Sequence, residues 1–325
     1  MAKLSYLFFL AISSILILVP LGFAQEASLA RVRISYPSMS MALLPAMTVV
    51  EKGFDRKEGL WVELIQARPS VSTVGLMSGD IDFDVGIPSA VQAAVSQGLP
   101  LKVIFVANEA PLFTFMAQRD IKSLVELRGR NVAVTAMGGA THLITQTILE
   151  RHGLNLGTDV RVIAIGGGMP AVFSSLKARN IIDGALVSLP WQIRLEREGF
   201  KALAEAGDYI RFPTNGLVAK ADKVQREMDK VRRAVRAHVR ALAYLRSEYN
   251  NADILAHIMK QFKVDDDVAM KSLKIMRAVW SENGIPSKKG VEQILRLSSS
   301  ASKVSEILDR IVDASIASAV KAQER

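Results

Sequence analysis

At 325 residues the chain exceeds the size at which one core keeps growing, so two domains are expected. Half of its residues are hydrophobic, which suffices for two packed cores and excludes a disordered chain. Cysteine is absent, which excludes disulfides, thiolate metal sites, a cysteine nucleophile and a lipid-modified cysteine, while a net charge of +9 raises the question of a nucleic-acid partner.

Lys3 precedes an apolar run from Leu4 to Leu21, which is followed by Gly22-Phe23-Ala24. A positive start, an apolar centre and small residues at −3 and −1 mark a secretory signal over 1–24. Cleavage after Ala24 would free a mature chain starting at Gln25 in the periplasm. A membrane anchor is the alternative, because the run is nearly long enough to span. The polar Gln25-Glu26 that follow favour cleavage.

Ile34–Tyr36 reads as a strand that enters a loop of Pro37, Ser38 and Ser40. A helix then runs to Glu51 and stops at Gly53, and Leu60–Ile65 alternates as a strand. A further helix ends at Gly79, and the strand Ile81–Val85 closes at Gly86. Such alternation makes a parallel sheet, which binds ligands beyond the carboxyl ends of its strands. The loops Tyr36–Met41 and Gly86–Ala90 therefore share one rim and form half of a cleft.

Three phrases in this stretch carry a family resemblance: LPAMTVVEKGFDRKEGLWVEL (44–64), LMSGDIDFDVG (76–86) and SQGLPLKVI (96–104). In that order they resemble the periplasmic solute-binding proteins of the nitrate/sulfonate/taurine and thiamine-precursor type. The likeness continues loosely through SLVELRGRNVAV (123–134) and fades after about Lys220. It implies a two-lobed α/β protein of the type II periplasmic-binding-protein fold, each lobe a mostly parallel sheet flanked by helices, with a two-crossing hinge. It also implies that the protein captures a small solute and presents it to an ABC permease in the inner membrane.

The second half repeats the pattern. Asn131–Thr135 is a strand, Met137–Thr141 a glycine loop and Leu143–His152 a helix; Val160–Ile165 is a strand, Gly166–Gly168 a second glycine loop and Pro170–Arg179 a helix. Ile181–Val187 then leads into Ser188-Leu189-Pro190-Trp191. SGDIDFDVGIPSA (78–90) matches ARNIIDGALVSLPW (178–191) at an offset of 101, with Gly79 answered by Asn180 and Asp82 by Asp183. This is an approximate internal duplication. Crossings near Asn108–Ala117 and Tyr209–Ala219 would form the hinge. The expected division is a first lobe over 25–112, a second over 113–212, and a return to the first over 213–325. Helices at 222–249, 251–262, 266–281 and 287–318 should pack back on the first lobe. The basic segment Asp222–Tyr249 has one apolar stripe (Val224, Met228, Val231, Val235, His238, Leu242, Leu245). Its Arg226, Lys230, Arg233, Arg236 and Arg240 lie mostly off that stripe, a solvated face rather than a nucleic-acid surface.

Helices opening at Ser40, Ser89, Thr141, Met169 and Pro190 aim unsatisfied N–H groups at the cleft. Ser38, Ser40, Ser89, Thr141 and Ser188 add hydroxyls, each of which singly could be only an N-cap. Met41, Ile87 and Pro88 accompany them on the first rim, and Gly138, Gly139, Ala140 and Gly168 on the second. Tyr36 and Trp191 are placed either to stack on a flat ligand or to pack between lobes, and His142 either to touch ligand or to face solvent. The GGATH loop lacks the endings of a nucleotide site, no histidine pair has metal-ligand spacing, and no catalytic motif is present. No cofactor is expected. Donor-rich loops suit a small anion, with a heterocycle as the other candidate, bound by a monomer. An enzyme on the same fold, of thiamine-pyrimidine or menaquinone type, is the chief alternative. The cysteine-rich motif of the pyrimidine-making relatives has no counterpart here. A periplasmic sensor subunit is the third.

Overall fold

A computed structural model describes residues 29–179, 181–298 and 304–324. The expected signal segment and the Asn180 half of the glycine–asparagine match lie outside the described residues.

The first half begins with β1 (Ala30–Tyr36), a 3-10 turn (Met41–Leu43), α1 (Leu44–Glu51), α2 (Phe54–Lys57) and β2 (Leu60–Gln66). It continues with α3 (Pro69–Ser78), β3 (Phe83–Gly86), α4 (Ile87–Ser96) and β4 (Leu101–Asn108). The chain crosses over into β5 (Phe113–Ala117), β6 (Asn131–Val134), α5 (Ala140–Arg151), β7 (Arg161–Ala164), α6 (Met169–Ala178), β8 (Gly184–Ser188), α7 (Trp191–Arg197) and β9 (Lys201–Glu205). It returns as β10 (Asn215–Lys220), followed by α8 (Ala221–Arg226), α9 (Met228–Arg246), α10 (Asn251–Phe262), α11 (Asp266–Arg277), α12 (Lys288–Ser298), α13 (Val304–Ile311) and α14 (Ser315–Gln323).

Two five-stranded sheets result, in the orders β2-β1-β3-β10-β4 and β7-β6-β8-β5-β9. They share one plan. In each, three strands pair in parallel, and the fourth position holds an antiparallel strand donated by the crossing chain: β10 in the first sheet, β5 in the second. Both sheets are therefore mixed, with one reversed strand apiece. The internal match has the same hydrogen bonds in both halves. Arg33 N–H donates to Asp82 Oδ2 at 2.8 Å while Asp82 N–H donates to Arg33 O at 2.9 Å. Asn131 N–H likewise donates to Asp183 Oδ2 at 2.9 Å, and Asp183 N–H to Asn131 O at 2.8 Å. Each aspartate thus fastens the strand that follows a helix to its neighbour in the sheet, and so fixes where the strand's carboxyl end emerges.

The return helices cover the first sheet. The apolar side of α9 buries Val231, Val235, His238, Leu242 and Leu245, and the helix packs against α1, α2 and α14. Its basic residues are not simply solvated, which corrects the expectation. Arg236 and Arg240 reach Glu58 at 2.9 and 2.6 Å, Arg233 donates to Glu58 O at 3.1 Å, and Lys230 reaches Asp82 at 3.0 Å. Lys223 of α8 meets the same Asp82 at 2.6 Å. Burial alone would raise the Asp82 pKa, but Lys223, the Arg33 N–H and Lys230 outweigh it and hold the carboxyl below its ordinary value. Much of the positive charge is therefore matched within the fold.

The helix expected over 287–318 is in fact α12, α13 and α14. Val312 leaves α13 to bridge Val103 of β4, and Asp313 N–H donates to Val103 O at 3.0 Å. The Asp313 carboxylate then accepts from Ser315 N–H at 3.1 Å, where α14 starts. The pairing onto β4 ends the helical run. Similarly, the helix expected over 222–249 breaks at Glu227 into α8 and α9.

Candidate functional site

A cavity of about 70 Å³ lies between the two halves, where the carboxyl ends of β1, β3, β6 and β8 point. From the first half come Pro37, Ser38 and Ser40 after β1, Pro69 at the start of α3, and Gly86, Pro88 and Ser89 at the start of α4. From the second come Thr135, Ala136, Gly139, Ala140 and Thr141 around the start of α5, Met169 at the start of α6, and Ser188 at the end of β8. Phe113, Thr214 and Asn215, on or beside the crossing strands, also line it.

Four helices of eight or more residues open at this cavity, α3, α4, α5 and α6, and none has a side chain hydrogen-bonded as its N-cap. Their first-turn N–H groups and dipoles favour a negative or strongly accepting group. The hydroxyls differ in what they already do. Thr141 Oγ1 accepts from Thr135 N–H at 3.0 Å and pairs with Thr135 Oγ1 at 2.9 Å, so it tightens its own loop. Ser89 Oγ donates to Gly86 O at 3.0 Å. Ser188 Oγ is buried in the wall without a hydrogen-bond partner. An unpaired buried hydroxyl costs about 1–3 kcal/mol, which a bound acceptor or donor would recover.

The halves also touch directly. Met169 N–H donates to Ser38 Oγ at 2.6 Å, Met41 N–H to Leu189 O at 3.2 Å, and Gln66 Nε2 to Gly167 O at 3.5 Å. Gly168 is a close approach that includes backbone: its φ is +73°, and a Cβ there would lie 2.6 Å from Ser38 Oγ and 3.0 Å from Ser38 Cα. Only glycine meets both demands.

No charged side chain lines the cavity among the described residues. Two titratable groups on the first side adjoin wall residues: Arg68, which precedes Pro69 and whose guanidinium lies against Gly166, and Asp84, 3 % exposed, two residues before Gly86. Asp84 Oδ1 accepts from Ser35 Oγ at 2.8 Å, and burial raises the Asp84 pKa to about 7. On the second side His142 is half-buried in the first turn of α5 and burial lowers its pKa.

Of the residues proposed from sequence, Ser38, Ser40, Pro88, Ser89, Gly139, Ala140, Thr141 and Ser188 line the cavity. Met41 and Ile87 are fully buried in the cores beneath it. Gly138 borders a neighbouring surface hollow beside Gln92, and Gly168 packs against Ser38. His142 is off the wall. Tyr36 is buried in the first core, which raises the pKa of its hydroxyl. The Trp191 ring packs on Phe173 at 5.1 Å, with the Arg194 guanidinium 5.2 Å from its centroid. Sequence reasoning aimed the helix start at Met169 into the cleft but missed Ala42, Pro69, Phe113, Thr135, Ala136, Thr214 and Asn215 in the wall. The signal for two of them was visible: Thr214-Asn215 is a polar pair between apolar runs in the return crossing.

Two mixed α/β sheets joined by two crossings, with a cavity between them at the strand ends, define a periplasmic-binding-protein fold. A family model described as NMT1/THI5 like matches residues 42–252, and the chain belongs to that family. No curated protein sequence matches it significantly. Among solved structures, a protein from Bordetella bronchiseptica RB50 is 19 % identical, with 91 % of this chain and 98 % of that one covered at a TM-score of 0.78. The periplasmic nitrate-binding protein NrtA from Synechocystis PCC 6803 is 16 % identical, with 91 % and 89 % covered at 0.77. The alkanesulfonate-binding protein SsuA from Xanthomonas axonopodis pv. citri, bound to MOPS, is 16 % identical, with 90 % and 97 % covered at 0.67. The desulfurization enzyme DSZB is also similar, at 16 % identity and a TM-score of 0.59, so the fold by itself does not separate binding from catalysis.

Proposed function

We propose that this chain is an exported solute-binding protein that holds one small anion between two lobes and delivers it to an ABC permease. The lobes correspond to 25–112 with 213–325, and to 113–212. Residues 1–24 serve as the export signal, and the mature protein works as a periplasmic monomer. The observation that carries the proposal is the unpartnered Ser188 hydroxyl in a wall ringed by four helix starts whose N-cap residues make no side-chain hydrogen bond. Those groups offer donors to an oxyanion without a neutralising side-chain charge. A compact anion is favoured over a heterocycle, because the Trp191 ring is occupied by Phe173 and Arg194 and, among the described residues, only Phe113 adds an aromatic ring to the wall.

Binding is favoured over the enzyme alternative because the wall carries no carboxylate, histidine or lysine placed for proton transfer among the described residues. Transport and sensing share the same capture step and differ in the membrane partner. The test is mass spectrometry of solute released from protein isolated from its native periplasm, followed by calorimetry with that solute, nitrate and methanesulfonate. A folded protein that binds none of them, or one that turns its solute over, refutes the proposal.

A further inference from the structure

Asp84 is the buried polar group that capture leaves unexplained. It lies on β3 two residues before Gly86 and has no ion-pair partner among the described residues. A Cβ placed on Gly86 would be 3.3 Å from Asp84 Oδ2 and 2.9 Å from Ser89 Oγ, and both Gly86 and Ser89 line the cavity. This carboxyl therefore lies directly beside a residue of the cavity wall.

The elements packed around Asp84 bring it no charge. Helices α3 and α4 contain no titratable side chain, and Arg68 at the start of α3 turns its guanidinium to Gly166 of the other half. On β1, Arg33 is turned to Glu63 and Asp80 O, and Tyr36 sits in the core. On β10, Val218 is the residue opposite, and Lys220 is held by Met77 O and Asp222. On its own strand side, Asp82 is taken by Lys223 and Lys230. Across the cavity the titratable group is His142.

Ser35 can serve either protonation state. As drawn, its hydroxyl donates to Asp84 Oδ1 at 2.8 Å. It also lies 3.5 Å from Phe83 O. If Asp84 is protonated, the carboxyl O–H donates to Ser35 Oγ, and Ser35 turns its own hydrogen to Phe83 O. The proton therefore has a ready acceptor in Ser35 Oγ.

A carboxylate beside the wall and an anion in the cavity are like charges that disfavour one another. We propose that capture of a small anion in this cavity is coupled to uptake of one solvent proton by Asp84, making Asp84 a specificity-determining residue of the site. The inference rests on the anionic reading above. The balance is simple: solvent supplies the proton, one Asp84 oxygen receives it, and the anion enters unchanged. Burial already raises the Asp84 pKa to about 7, so the coupling falls in the neutral range. For unit charges roughly 7 Å apart at an effective dielectric of about 20, the affinity ratio between the two protonation states is at most roughly fifty-fold.

The test is calorimetry on the mature chain, with nitrate and methanesulfonate as probes, from about pH 6 to about pH 8.5, in two buffers of different ionisation enthalpy. The expected result is proton uptake that peaks near pH 8 at up to about three-quarters of a proton, and an affinity that falls by up to roughly twenty-fold across the range. Asp84→Asn should lose both effects, while His142→Gln keeps them. Should Asp84→Asn fail to fold, the wild-type proton count and the His142→Gln variant still decide. Anion binding without proton uptake, or uptake lost in His142→Gln, overturns the coupling and leaves the anionic reading standing. If neither probe nor larger sulfonates bind at any pH, the anionic reading falls and the coupling with it.

Discussion

Gly168→Ala tests closure at a contact where glycine meets backbone of the other half. The glycine has φ +73°, and a Cβ there would lie 2.6 Å from Ser38 Oγ, 2.9 Å from Ser38 Cβ and 3.0 Å from Ser38 Cα. The last two atoms cannot swing aside as a side-chain tip can, so the halves must separate by several tenths of an ångström. Separation also breaks the 2.6 Å bond from Met169 N–H to Ser38 Oγ. At φ +73° and ψ −155°, a region essentially reserved for glycine, an alanine costs about 1–3 kcal/mol in either state, which shows as lower stability. The clash and the lost hydrogen bond act only on the closed state. Together they should weaken solute binding by about 1–3 kcal/mol, roughly five- to 150-fold. Calorimetry reads the affinity, thermal unfolding reads the backbone strain, and small-angle scattering reads whether ligand still narrows the angle between halves. A folded Gly168→Ala protein with wild-type affinity would show that the contact seen here is not part of the bound state.

Gly139→Asp should fold, because Gly139 has φ −80° and a Cβ there meets nothing closer than 3.4 Å, and aspartate is a good N-cap for α5. Its charge in the cavity wall should nonetheless weaken anion binding more than Thr141→Ala, which removes a loop-closing hydroxyl worth about 0.5–1.5 kcal/mol; titration calorimetry ranks the two. Trp191→Ala should lower stability and leave affinity nearly unchanged, since the ring packs on Phe173; a large loss of affinity would place the ring on the ligand. Arg197 of α7 pairs with Asp265 at 2.6 Å and with Asp267, both at the start of α11. Arg197→Ala should favour the open form at low salt and have little effect at high salt, read by scattering, because exposed pairs are screened. For the unliganded protein, the raised Asp84 pKa means that the folded state holds a proton the unfolded chain releases near pH 4. Stability should therefore fall between about pH 4 and about pH 7 by a few kcal/mol and then level off, a slope that Asp84→Asn should remove in denaturant titrations.

Local signals showed much of the fold in the sequence. Alternating strands and helices, with glycines such as Gly79 at helix ends, mark the elements, and Asp82 and Asp183 turn out to make equivalent bonds in equivalent strands. The cavity hydroxyls were visible because a serine or threonine at the end of a strand needs no distant partner to be placed there. What stayed hidden depends on contacts remote in sequence. Nothing near Trp191 shows that Phe173 will cover its ring, and nothing near Met41 or Ile87 shows that their side chains turn into the cores. Phe113 and Thr214 enter the wall only because each sheet takes a strand from the other crossing. Val312 broke an expected helix for the same reason, by pairing with a strand some two hundred residues earlier.

The central claim is that a small anion sits between the halves, held by Ser188 and the helix starts. A crystal structure of the protein with the solute that leaves the periplasm bound to it tests this most directly. The account predicts one compact anion per chain, within hydrogen-bond distance of Ser188 Oγ and of N–H groups at the starts of α4 and α5. A ligand seated elsewhere, or a cation in this cavity, would contradict it.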